Sequence, residues 1–163
     1  DIIVFRTQAD EVERAAKELR GSLPDCLCVP LHGALDKDEQ REAFAPTPKN
    51  YRRKIVIATN VAETSVTIDG IGVVIDSGMS KQARYDPAKD ATVLRVGLIA
   101  QSSAKQRAGR AGRTAPGECY RLYSEEEFAE LERDQPAELL RTDATAAILM
   151  VLQQIQRQPE WIS

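Results

Sequence analysis

A chain of 163 residues, 42% hydrophobic and 29% charged, is long enough for one domain with a buried core and too short for two ordinary ones. These are globular values, and no apolar run approaches the roughly 20 residues needed to span a bilayer. A net charge of −3 excludes a global field that gathers nucleic acid, but the charge is unevenly placed. Residues 101–121 hold Lys105, Arg107, Arg110, Arg113 and Arg121 against Glu118, whereas 124–143 hold eight acids against Arg133 and Arg141.

Taken in order, apolar runs alternate with helix-period runs. "IIVF" (2–5) predicts a strand, and Val12, Ala16, Leu19 and Leu23 recur at helical spacing in the segment that follows, which Gly21 closes. "CLCVPL" (26–31) predicts a second strand with Pro30 near its end, and "KDEQREAF" (37–44) a second helix stopped by Pro46. "APTPKN" (45–50) is a loop. "KIVIA" (54–58) and "GVVID" (72–76) are continuous apolar runs, the pattern of central strands covered on both faces. Residues 81–98, with Asp86, Pro87 and Asp90 between alternating stretches, predict a β-hairpin. "SAKQRAGRAGR" reads as a helix, "ECYRLY" (118–123) as a strand, and Pro136 opens a final helix through "AAILMVLQQI". The acidic run from Ser124 reads as a solvated helix capped by Ser124, with Phe128 and Leu131 on its buried side, and Trp161 sits in a frayed end. Strands alternating with helices give an α/β fold: a parallel sheet with helices on both faces, plus the inserted hairpin.

Three cysteines, none in a C-x-x-C pair, and the single His32 exclude a disulfide framework and a zinc site. They point to a reduced, intracellular protein, with His32 as a loop or strand-end residue. The opening "DIIVF" follows no basic or signal-like stretch and reads as the interior of a longer chain.

Two stretches carry chemistry. In "QRAGRAGR" (106–113) three arginines recur every third residue with only alanine and glycine between them and no acid nearby. On a helix turning about 100° per residue, with Gln106 at zero, Arg110 falls near about 40° and Arg113 near about −20°, opposite Ala108, Ala111 and Gly112. Two guanidiniums and an amide on one face suit a phosphate, since arginine keeps its charge and its fork matches phosphate oxygens. The bland alternative is a solvated basic face. The second stretch is "ATNVAETSVTIDG" (58–70), dense in short hydrogen-bonding side chains just after a buried strand, where open α/β sheets place their ligand loops.

At these two stretches the sequence resembles the DEAH-box RNA helicases of superfamily 2, specifically their second RecA-like domain: "ATNVAETSVTIDG" is similar to motif V and "QRAGRAGR" to motif VI. "VVIDSGMSKQARYDP" resembles the strand and hairpin between them, and "GECYRLYSEEEF" and "PAELLRTDATAAILMVL" the family's sequence up to its winged-helix domain. The resemblance implies a RecA-like domain over 1–135, with the hairpin at about 82–98, and a helical connection to a winged-helix domain over 136–163. It also implies that Arg110 and Arg113 are arginine fingers and that Gln106 holds the hydrolytic water. Ser65 and Thr67 would sense the nucleotide state, Asp69 would contact the ribose, and Phe44 would stack on the adenine. Thr7, Thr59 and Asn60 would touch the backbone of single-stranded RNA, read without regard to sequence. The cofactor would be ATP with Mg2+, the magnesium ligands lying on an upstream RecA-like domain of the same chain. Further partners would be the winged-helix domain and an activating protein, in a nuclear or cytoplasmic setting without membrane.

Three positions depart from the family pattern. Thr7 is not followed by glycine-glutamine, Leu98 stands where proline is usual, and so does Ser77. Neither a G-x-x-x-x-G-K-[ST] loop nor a D-E-A-H motif occurs, so the chain holds half a nucleotide site and is expected to be inactive alone. A catalytically silent helicase-like module for nucleic-acid binding or protein docking is the alternative, and intact Gln106, Arg110 and Arg113 argue against it.

Overall fold

The computed structural model describes residues 1–64, 67–86, 88–113, 116–135, 148–149 and 151–153. The β-branched run at the start forms β1 (Ile2–Phe5) and the amphipathic segment after it α1 (Ala9–Ser22). Then follow β2 (Cys26–Leu31), α2 (Lys37–Phe44), β3 (Arg53–Ala58), the single-turn α3 (Val61–Thr64) and β4 (Val73–Asp76). The hairpin strands β5 (Met79–Asp86) and β6 (Ala91–Leu98), α4 (Gln101–Ala108), β7 (Glu118–Arg121) and α5 (Glu125–Glu130) complete the described elements.

The main sheet has the order β2-β3-β1-β4-β7, and every pairing in it is parallel. Both continuous apolar runs are inner strands, as their lack of alternation requires. Pro30 is tolerated because β2 is an edge strand, where a missing N–H breaks no ladder. Side chains alternate between two cores. Ile3, Phe5, Val29, Leu31, Val56, Ala58 and Val74 face one side, with Ala43 of α2, Ala62 of α3 and Ala111. Cys26, Cys28, Ile55 and Ile57 face the other, against Val12 and Ala16 of α1. The three cysteines are free thiols. A smaller cluster joins Ile99, Ala104 and Leu131 with Tyr123 and Phe128.

Helix starts follow local chemistry. Asp36 accepts from the N–H groups of Asp38 (2.9 Å) and Glu39 (2.8 Å), while Glu39 accepts from the Asp36 N–H at 2.9 Å, a closed capping box on α2. Ser124 and Glu127 make the same box on α5, as the sequence predicts for Ser124.

Three elements differ from the sequence reading. The helix predicted through Arg113 ends at Ala108, with Gly109 as its cap. Beyond it the hydrogen bonds shorten from four-residue to three-residue spacing, Arg110 N–H to Arg107 O (3.0 Å) and Ala111 N–H to Ala108 O (3.1 Å), because two interior glycines weaken the helix there. Residues 58–70, read as a loop, contain α3. The strand predicted to Tyr123 stops at Arg121. Of the helix predicted from Pro136, only residues 148–149 and 151–153 are described, and they are helical. Trp161 lies outside the described residues.

The chain divides into two compact units, Asp1–Lys81 with Val96–Gln135, and Gln82–Arg95 with Pro136–Ser163. The parallel sheet and its helices belong to the first. In the second, Asp86 organises the hairpin turn: its carboxylate accepts from the Ala88 N–H (3.1 Å) and from Arg95 Nη2 (2.8 Å), and Asp90 takes a left-handed φ of 47°.

Candidate functional site

The carboxyl ends of β1, β3 and β4 meet at one sheet edge, where the register sets Phe5 beside both Ala58 and Asp76. Over this edge lies Arg107, with no solvent exposure. Its Nη1 donates to Asp76 Oδ1 at 2.7 Å, its Nε to Glu63 Oε2 at 3.0 Å, and its guanidinium sits 4.7 Å from the Phe5 ring centre. Asp76 also accepts from the Gly78 N–H (3.0 Å) and the Tyr123 hydroxyl (3.0 Å). Burial first, and then the Asp76 charge and hydrogen bond, push the Tyr123 phenol far above its ordinary value. Gly78 has φ +73°, and a Cβ there would lie 2.7 Å from the Tyr123 ring, so only glycine lets the ring close over Asp76.

The sequence reading noted that Arg107, Arg110 and Arg113 lack acid partners nearby. For Arg107 the partners come from α3 and β4. This buried group was missed, although "GVVID" carried a signal: a carboxylate that ends an apolar strand and is buried there needs a cation or hydrogen-bond donors around it.

Arg110 and Arg113 leave the turn after α4 and reach the same segment. Arg110, mostly buried, donates through Nη2 to the Glu63 carbonyl. Arg113, exposed, donates through Nη1 to the Thr67 hydroxyl. Burial first and then the neighbouring Arg113 lower the Arg110 pKa, while Glu63 opposes the shift. Two like charges are thus held close together, an arrangement that an anion would relieve. Gln106 is exposed on the last turn of α4 and makes no side-chain hydrogen bond among the described residues, so the three do not extend from one continuous helix face. Ser65 lies outside the described residues.

Phe44 and Asp69, far apart in sequence, line one cavity of about 560 Å³ with Pro46, Thr47, Pro48 and Tyr51. Phe44 is half-buried against the main core at the end of α2. Gly70, at φ +77°, makes the turn that follows Asp69. An aromatic face and a carboxylate bordering an open cavity suit a planar base and a ribose hydroxyl, and the paired arginines suit phosphates.

Thr7, Thr59 and Asn60 follow the ends of β1 and β3. The Thr7 hydroxyl donates to Glu11 Oε2. Thr59 is buried and its N–H donates to Leu31 O at 3.1 Å, whereas Asn60 is exposed. Among the described residues no helix is long and apolar enough to cross a membrane, and no group of three or more His, Cys, Asp or Glu side chains is arranged to hold a metal ion.

The family described as "Helicase conserved C-terminal domain" matches residues 1–115. The chain is 46% identical over 151 residues to the ATP-dependent RNA helicase DEAH12, chloroplastic, of Arabidopsis thaliana, covering 93% of the chain and 8% of that protein. It is 42% identical over 159 residues to the pre-mRNA-splicing factor ATP-dependent RNA helicase prp22 of Schizosaccharomyces pombe, covering 93% of the chain and 14% of that protein. The chain thus spans under a quarter of the length of the curated relatives it matches. Among solved structures, the Escherichia coli DExH-box NTPase HrpB superposes with a TM-score of 0.85 at 37% identity, over 94% of this chain and 19% of that one. With the parallel sheet, the separate hairpin and both motifs in place, the chain belongs to the helicase conserved C-terminal domain family, as the RecA-like C-terminal helicase domain of the DEAH-box RNA helicase type.

Proposed function

We propose that this chain is the C-terminal half of an ATP-dependent RNA helicase motor, contributing Arg110 and Arg113 to the phosphates, Phe44 and Asp69 to the base and ribose, and Thr7, Thr59 and Asn60 to an RNA backbone. One observation carries the reading: the segment from Thr59 to Asp69 receives Arg110 and Arg113 along its length and ends on the cavity that Phe44 borders. A single stretch of chain therefore touches the residues assigned to phosphate, to nucleoside and to RNA.

In this reading the nucleotide supplies a phosphoanhydride bond whose cleavage concentrates negative charge on the transferred group. Arg113, exposed and hydrogen-bonded to one neutral hydroxyl, keeps donors for that charge. Arg110 adds a second guanidinium whose orientation the Glu63 carbonyl fixes. Gln106, on the adjoining helical turn, orients the attacking water, and Ser65 and Thr67 register whether the terminal phosphate is present. Magnesium would be held by carboxylates of an upstream RecA-like domain, and a winged-helix domain and an activating protein complete the assembly. RNA is gripped through phosphates and sugars without base readout, which fits a chain of net charge −3.

The test uses the full-length protein. Arg110→Ala and Arg113→Ala are each expected to lower RNA-stimulated kcat by about 10³-fold, with a smaller change in KM for ATP. Parent-like turnover by both variants would rule out the finger assignment.

A further inference from the structure

The backbone that presents Phe44 has few supports of its own. α2 ends there, leaving carbonyls without intrahelical partners, and the chain continues through Pro46 and Pro48, which have no N–H to donate. The support comes from the sheet. Lys54, on the inner strand β3, is 1% exposed, and its Nζ donates to Ala43 O at 2.8 Å and Ala45 O at 2.7 Å. These carbonyls lie on either side of Phe44, so one ammonium brackets the residue.

The choice of lysine is costly. Burying an ammonium without a carboxylate in contact is unfavourable, and among the described residues Lys54 makes no ion pair. An apolar residue would serve packing at a position opposite Leu27 in the sheet register. What an apolar residue lacks is a positive charge at the negative end of α2 with donors for two carbonyls. Burial lowers the Lys54 pKa, and the Asp69 charge acts in the opposite direction, so Lys54 feels the carboxylate that borders the cavity. Its backbone is fixed too, since its N–H donates to Asp1 Oδ1 at 2.8 Å while the Thr47 hydroxyl donates to Asp1 Oδ2 at 2.8 Å.

We infer that Lys54 is a positioning residue of the base-binding cavity: by holding the carbonyls of Ala43 and Ala45 it sets the Phe44 ring against the cavity that Asp69 borders. The inference rests on the proposed roles of Phe44 and Asp69 toward nucleotide.

The test is steady-state RNA-stimulated ATP hydrolysis by the full-length protein. Lys54→Met is expected to raise KM for ATP by about fivefold or more with kcat within about twofold of the parent. Phe44→Ala is expected to raise KM as well, and Lys54→Met to add nothing in that background, because two residues acting through one contact are not additive. A parent-like KM in Lys54→Met, even with a lower melting temperature, would overturn the inference, as would KM effects of Lys54→Met and Phe44→Ala that multiply. A raised KM in Phe44→Ala with none in Lys54→Met removes only the role of Lys54; no effect in Phe44→Ala removes the base-site reading itself. Should Lys54→Met fail to fold, Lys54→Gln keeps a donor for one carbonyl and is expected to raise KM by about twofold, and an unchanged KM there would equally overturn the assignment.

Discussion

Arg107 carries a full positive charge at a position with no solvent exposure, and the carboxylates that balance it belong to α3 and β4. Removing one member of such a group leaves an uncompensated buried charge. Arg107→Ala is therefore expected to destabilise the domain by about 3–5 kcal/mol, read as a lower denaturation midpoint in urea. Tyr123 belongs to the same group, and its shift predicts a pH dependence. A phenol whose folded pKa lies above its ordinary 10.0 contributes stability that is fully present below that value and is lost as pH rises beyond it. As pH rises above 10.0 the parent should lose stability more steeply than Tyr123→Phe, which has no phenol to ionise, and equal slopes for the two proteins in denaturant titrations would contradict this. Little of this was legible residue by residue. Acids at positions 63 and 76 are invisible from position 107 until the sheet register sets Asp76 beside Phe5.

At the scale of elements, helix ends decide where the site residues point. The Asp36 capping box starts α2 and the Lys54 ammonium holds its last carbonyls, so both ends of the helix that carries Phe44 are tied by side chains. Asp36→Ala is expected to cost about 1 kcal/mol, visible as faster amide hydrogen exchange in the first turn of α2. The element most changed from its sequence reading is α4. Periodicity carries the helix through Arg113, but Gly109 ends it and tighter turns follow. On a continuous helix Arg110 would share a face with Gln106; in the structure the turns swing Arg110 onto the Glu63 carbonyl of α3 and Arg113 onto Thr67 just after it. By contrast, the extents of α2 and β2 and the Ser124 cap of α5 were readable directly, because proline stops, β-branched runs and capping residues act within a few positions of themselves.

For the whole molecule, the sheet order brings one edge of three strands together, and the proposed motor needs a second surface to complete it. The chain has no G-x-x-x-x-G-K-[ST] loop, and fingers without a phosphate cradle offer only screened charge. Purified alone, the 163-residue chain is expected to hydrolyse no ATP, with or without RNA; turnover that disappears in Arg110→Ala would contradict the half-site reading. The sequence by itself determined the alternation of strands and helices, the parallel sheet with its inner apolar strands, the hairpin, and both family motifs, since each is written in contiguous residues. Only the tertiary structure decided that Glu63 and Tyr123 gather around the buried Arg107 and Asp76, that Phe44 and Asp69 share a cavity, and that Lys54 holds the carbonyls of Ala43 and Ala45. The physical reason is distance along the chain: a buried charge selects its partner by position in space, and that position exists only once the parallel strands have fixed their register.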